Sequence, residues 1–176
     1  MSLFRSLQNS PATITIFHNS KIPLSAELSK ILNKTYDSLP SKPKYDFQVD
    51  LESNKMPTYE QYQTFVSKFL KNEQAKKTLH DAFPFLNDRS TDLLDSHGKK
   101  VTVKGLDWSN KVFSQAEYQK IYDTFNKLVE NEHDHSVETS PSQIFKAPLI
   151  ADWDQEVLAG DQETLKALLA KYVDQE

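Results

Sequence analysis

Residues 147–173, APLIADWDQEVLAGDQETLKALLAKYV, decide the fold. Leu149, Ile150 and Ala151 follow Pro148 without polar alternation, which predicts a short strand buried on both faces. Asp152 to Glu156 supply turn residues, Val157 and Leu158 a second short strand, and Gly160 a break, so the stretch predicts a hairpin. Asp161 is then suited to cap a closing helix whose apolar face is Leu165, Leu168, Leu169 and Tyr172. A ββα unit therefore ends the sequence.

The opposite end predicts a partner for it. Ala12 to His18 is rich in β-formers and stops at the turn-prone pair Asn19 and Ser20. After Pro23 the residues Leu24, Leu28, Ile31 and Leu32 share a helical face, with Ser25 expected as a cap. A linker over 38–44 leads into Tyr45, Phe47, Val49 and Leu51, which alternate with polar residues as a strand does. Strand, helix and strand at this spacing form a right-handed βαβ unit with parallel strands.

Between the halves the signals are helical. Thr58 with Gln61 forms a capping box ahead of Tyr62, Phe65, Val66, Phe69 and Leu70, and helical character resumes over 75–82. Pro84, Gly98 and Gly105 punctuate a stretch that reads as irregular, with one β-like piece at Val101 to Val103. Ser114 with Glu117 forms a second capping box, before Tyr118, Ile121, Tyr122, Phe125, Leu128 and Val129. The expectation is one α/β domain over 1–176: a βαβ unit at 12–52, a helical insertion at 57–131, a loop at 132–146 and a ββα unit at 147–173.

Composition excludes several classes of chemistry. The 176 residues are 38% hydrophobic, enough for one sizeable core, yet the mean hydropathy is −0.63 and no apolar run reaches a membrane-spanning length. Membrane insertion is not expected. A net charge of −4 without a basic cluster gives no field to attract nucleic acid. The chain has no cysteine, so disulfides, thiolate metal sites, cysteine nucleophiles and dithiol exchange all lack their sulfur. Up to Leu24 there is Arg5 and Lys21 but no acidic residue, with Leu3, Phe4 and Leu7 around Arg5. That pattern fits a short mitochondrial presequence and equally a capping segment ahead of the first strand.

The stretches LFRSLQNSPATITIF (3–17), YDFQVDLESNKMPTYEQY (45–62) and KAPLIADW (146–153) resemble a fungal family of proposed mitochondrial redox proteins with a thioredoxin fold. The likeness spans both ends of the chain, and Pro148 to Trp153 is its most specific part. It implies a thioredoxin-like fold, a mitochondrial location and a redox role, with a cis Ala147–Pro148 bond beside the substrate groove. Members of that family offer a lone cysteine as the redox group, and this chain has none. A weaker likeness, to arsenate-reductase-type proteins, places Ile22 where their reactive cysteine falls, and isoleucine cannot attack arsenate.

By resemblance the groove lies between the start of the first helix and the loop before Pro148. Its candidate residues are Ser20, Lys21, Ser25, Ala147, Pro148, Gly160, Asp161 and Gln162. Ser20 and Ser25 flank a helix N-terminus, where an anion is favoured, and a serine there would stabilise the thiolate of bound glutathione. Lys21 would meet a glutathione carboxylate, and Gly160, Asp161 and Gln162 its γ-glutamyl end. The bland reading is a pair of helix caps. Three readings stay open: a redox-class protein without thiol chemistry of its own, a non-catalytic module binding an extended peptide or protein, and a glutathione-dependent protein using the ligand's thiol. No metal is expected: His133 and His135, with Glu132, Asp134 and Glu138, have the composition for a divalent ion without a recognisable spacing, and read as a polar loop.

Overall fold

The computed structural model describes residues 11–84, 91–94, 100–103, 114–130 and 141–173, of which 91–94, 100–103 and 143 by backbone alone. It divides into two compact units, Met1–Ser53 with Pro148–Glu176, and Asn54–Ala147.

In the first unit β1 (Ala12–His18) leads into α1 (Pro23–Asp37) and β2 (Phe47–Ser53), which pairs parallel to β1 from Ala12↔Phe47 to His18↔Ser53. β2 starts two residues later than the alternation predicts. The cause is Asp46, whose carbonyl accepts the Ala12 N–H at 2.9 Å and whose carboxylate accepts the Phe47 N–H at 2.8 Å, so the ladder opens there. β5 (Leu149–Asp152) and β6 (Val157–Ala159) form the predicted hairpin, and β5 pairs antiparallel with both β1 and β6. The sheet order is β2-β1-β5-β6, with α5 (Gln162–Val173) closing the unit. This is the βαβ…ββα arrangement expected from the sequence.

One face of the sheet carries the unit's core. Ala12, Ile14, Ile16, Phe47, Ile150 and Ala159 pack with Leu28 and Leu32 of α1 and with Leu165, Leu168, Leu169 and Tyr172 of α5. Leu149, Ile150 and Ala151 are fully buried, as their unbroken apolar run predicts for a strand with neighbours on both sides.

In the second unit α2 (Tyr59–Thr64) starts at the Thr58–Gln61 capping box and continues through a π-helical turn, Phe65–Phe69. α3 (Glu73–Ala82) is capped by Asn72, and α4 (Gln115–Glu130) begins at the reciprocal Ser114–Glu117 bonds. The core is aromatic: Tyr62 stacks on Tyr118 at 5.0 Å, and Phe83 meets both Tyr62 and Phe145. The stretch expected to be irregular contains a two-stranded antiparallel sheet, β3 (Thr91–Leu94) with β4 (Lys100–Val103). Val101 to Val103 signals a strand, but its partner TDLL has no β-former beyond Thr91, so cross-strand pairing rather than local propensity makes it one. The presequence-like residues 3–7 and the pair His133 and His135 lie outside the described residues.

Candidate functional site

The register gathers most of the predicted groove at one end of the four-stranded sheet. Phe17 pairs with Leu149, and Ile150 with Ala159, so the exit of β1, the entry of β5 and the exit of β6 lie side by side. β1 and β6 both run antiparallel to β5, so α1 and α5 leave the sheet from this same end with their N-termini on it. Ser20, Lys21, Ser25, Pro148, Gly160, Asp161 and Gln162 all belong to this end of the first unit. Ala147 belongs to the second unit.

The β1–α1 turn is built by Asn19 and Ser25. The Asn19 side chain accepts the Lys21 N–H at 3.0 Å, and its carbonyl accepts the Ile22 N–H at 3.0 Å. Ser25 corrects the expectation of a cap: Ile22 occupies the N-cap position without a side-chain bond, and Pro23 enters the first turn, where a missing N–H costs nothing. The Ser25 hydroxyl instead points back into the turn. Its oxygen accepts the Asn19 N–H at 2.9 Å and lies 2.7 Å from Nδ1 of His18. With 0% exposure, Ser25 cannot approach a ligand thiolate. Ser20 and Lys21 are exposed.

The start of α5 is closed in the same manner. Asp161 is the predicted cap, its carboxylate accepting the Thr164 N–H at 2.8 Å. The Thr164 hydroxyl accepts the N–H groups of Gly160 at 2.9 Å and Asp161 at 3.0 Å, and the Gln162 amide donates to the Glu27 carboxylate on α1. The amides expected to hold a γ-glutamyl group are therefore engaged within the chain.

At the other end of β5 lies a residue whose buried role the sequence did not signal. Asp152, expected to open a turn, is the last residue of β5 and is fully buried. Its Oδ2 accepts the Tyr172 hydroxyl at 2.6 Å and the Gln155 side-chain amide at 2.6 Å, while Oδ1 accepts the N–H groups of Asp154 at 3.0 Å and Gln155 at 3.1 Å. Trp153 donates through its ring N–H to Thr15 at 2.9 Å and through its backbone N–H to the Thr13 carbonyl at 3.1 Å. An Asp two residues before a backbone donor is the signal of such a turn, but the Tyr172 bond comes only from α5 lying over β5.

Chemically, this end offers exposed polar groups, a helix start and strand ends, and no nucleophilic sulfur. No group of three or more metal-ligating side chains occurs among the described residues, and among them no helix is long and apolar enough to cross a membrane. A family model described as "Protein of unknown function (DUF1687)" matches residues 4–161. No curated protein and no solved structure matches the chain.

Proposed function

The chain belongs to the family of that model, and on this premise we propose that it is a thioredoxin-like protein of a mitochondrial redox class that binds an extended partner segment instead of exchanging disulfides itself. The observation that carries the reading is the register that sets the ends of β1 and β6 beside the start of β5. With the parallel β1–β2 pair on one flank and the β5–β6 hairpin on the other, this order supports a thioredoxin-like relationship and a groove at this sheet end. Ser20 and Lys21, both exposed, are the residues proposed to meet the partner, whose backbone would pair near the entry of β5, where Pro148 is itself buried. The lack of any cysteine removes thiol–disulfide exchange by the chain's own groups.

Two variants of the reading differ in the ligand. A purely non-catalytic interaction module is favoured by the engaged amides of Gly160 and Asp161, which speak against a preformed glutathione seat. Glutathione-dependent chemistry, with the ligand supplying sulfur, needs those amides or the buried Ser25 to be released. The test is an amide NMR titration with the reduced insulin B chain as an extended peptide and, separately, with reduced glutathione. Shifts confined to Asn19–Lys21 and Leu149 on adding peptide, with glutathione inert, are expected. Saturable glutathione binding at Gly160–Gln162 would overturn the choice of ligand, and peptide shifts elsewhere would overturn the site. Import of the full chain into isolated mitochondria tests the location, and failure to be imported would remove it.

A further inference from the structure

We propose that the open edge of β2 is a docking site at which an extended segment of a partner protein, alternating basic and apolar residues, adds as a further strand of the sheet. β2 ends the four-stranded sheet among the described residues, and seven residues make a long edge. The Ala12 N–H bonds to the Asp46 carbonyl, so in the parallel ladder residues 46, 48, 50 and 52 turn their backbone groups to β1. Phe47, Val49, Leu51 and Ser53 consequently turn theirs to the open side. The Asp46 carboxylate occupies the Phe47 N–H and closes the lower end of the edge, which leaves Val49 to Ser53 as the pairing stretch.

The two faces of that stretch differ in chemistry, and the difference defines the partner. On the helix-bearing face Leu51 is 54% exposed. Leu24, 37% exposed, stands at the same end, because α1 starts where β1 finishes and β2 runs parallel to β1. On the opposite face stand Gln48, Asp50 and Glu52, and no Lys, Arg or Pro occurs from Asp46 to Ser53. Edge strands are commonly guarded by lysine or proline. This one carries only acidic charge, which repels a second copy of itself in either register while accepting lysines or arginines at every second residue of an incoming strand. Asp50 accepts a hydroxyl bond from Thr15 at 3.2 Å, and a carboxylate has further acceptor sites for a cationic partner.

The pairing stretch runs up to the same sheet end as the proposed groove but lies along the β2 edge, and its readout at Val49, Leu51 and Ser53 is distinct from the Asn19–Lys21 and Leu149 readout of that reading, so the two tests can fail independently. The probe is a capped hexapeptide of alternating Lys and Val, compared with its Glu–Val counterpart, with amide exchange of the full chain as the readout. The Lys–Val peptide is expected to slow exchange at Val49, Leu51 and Ser53 and to bind about ten-fold more tightly than the Glu–Val peptide, from two attractive pairs replaced by two repulsive ones. The double variant Asp50→Lys, Glu52→Lys should reverse that preference. Leu51→Ser, at an exposed position that leaves the fold intact, should weaken the Lys–Val peptide about three-fold. Equal affinity for the two peptides, or slowed exchange confined to other strands, would overturn the proposal. Concentration-dependent protection of Val49 and Leu51 without peptide would also overturn it, by showing the occupant to be a second copy.

Discussion

Asp152 and Ser25 show how single polar atoms hold this structure. Asp152 gathers four donors from the β5–β6 turn and from Tyr172, and removing its carboxylate strands them together. Asp152→Ala should cost about 3 kcal/mol, a fall of about 6–12 °C in thermal midpoint by calorimetry. Ser25→Ala should cost about 1–2 kcal/mol, because the Asn19 N–H loses its acceptor, whereas Ser20→Ala on the exposed turn should lie within about 0.5 kcal/mol of the parent. Equal effects of the two serine variants in urea titrations would contradict the assigned roles. Burial raises the pKa of the Tyr62, Tyr118 and Tyr172 phenols above the ordinary value of 10.0, and the Asp152 carboxylate adds to it at Tyr172. The unfolded chain loses these protons near pH 10 while the folded chain keeps them, so their contribution is complete below that pH and declines as pH rises. The urea midpoint should therefore drop between pH 9 and 11, and less steeply in Tyr172→Phe.

At the scale of elements, β5 is the strand on which the first unit depends. It lies between β1 and β6, and Ile150 packs among Ile14, Ile16 and Leu165 in the shared core. Ile150→Asp places an unpaired carboxylate there and should abolish cooperative unfolding of the unit, followed by near-ultraviolet circular dichroism. A normal melt would contradict the central position of β5. α5 depends on its cap, and Asp161→Ala should lower stability by about 1 kcal/mol through loss of the Thr164 bond. The caps at Thr58, Ser114 and Asp161 were legible in the sequence because cap and partner lie three residues apart and need no tertiary information. Ser25 misled for the same local reason: it stands near a helix start, but its partners sit at the end of β1 and in the turn, and the chain's path there selects them.

For the whole molecule the firmest chemical statement concerns sulfur. The pure chain should reduce no insulin disulfides in the absence of added thiol, because exchange starts from a thiolate and the chain contains no cysteine. Turbidity developing in such an assay would contradict it. The proposed partner site at the sheet end and the proposed strand-docking edge sit on different borders of one sheet, and peptides that separate them by amide exchange would assign each binding event to its border.

What the sequence by itself determined was the set of elements of the first unit and their kind: the unbroken run at Leu149, the alternation from Tyr45, the helical spacing around Leu28 and Leu168. These follow from local periodicity and turn chemistry, which act within a few residues. The pairing of β1 with β5, the burial of Asp152 beneath Tyr172, the inward turn of Ser25 and the β3–β4 hairpin were decided only by the tertiary structure. Each joins residues distant in the chain or subordinates local propensity to cross-strand bonding. Their free energy comes from burying polar groups with satisfied bonds and from strand neighbours, and neither exists until the sheet has assembled.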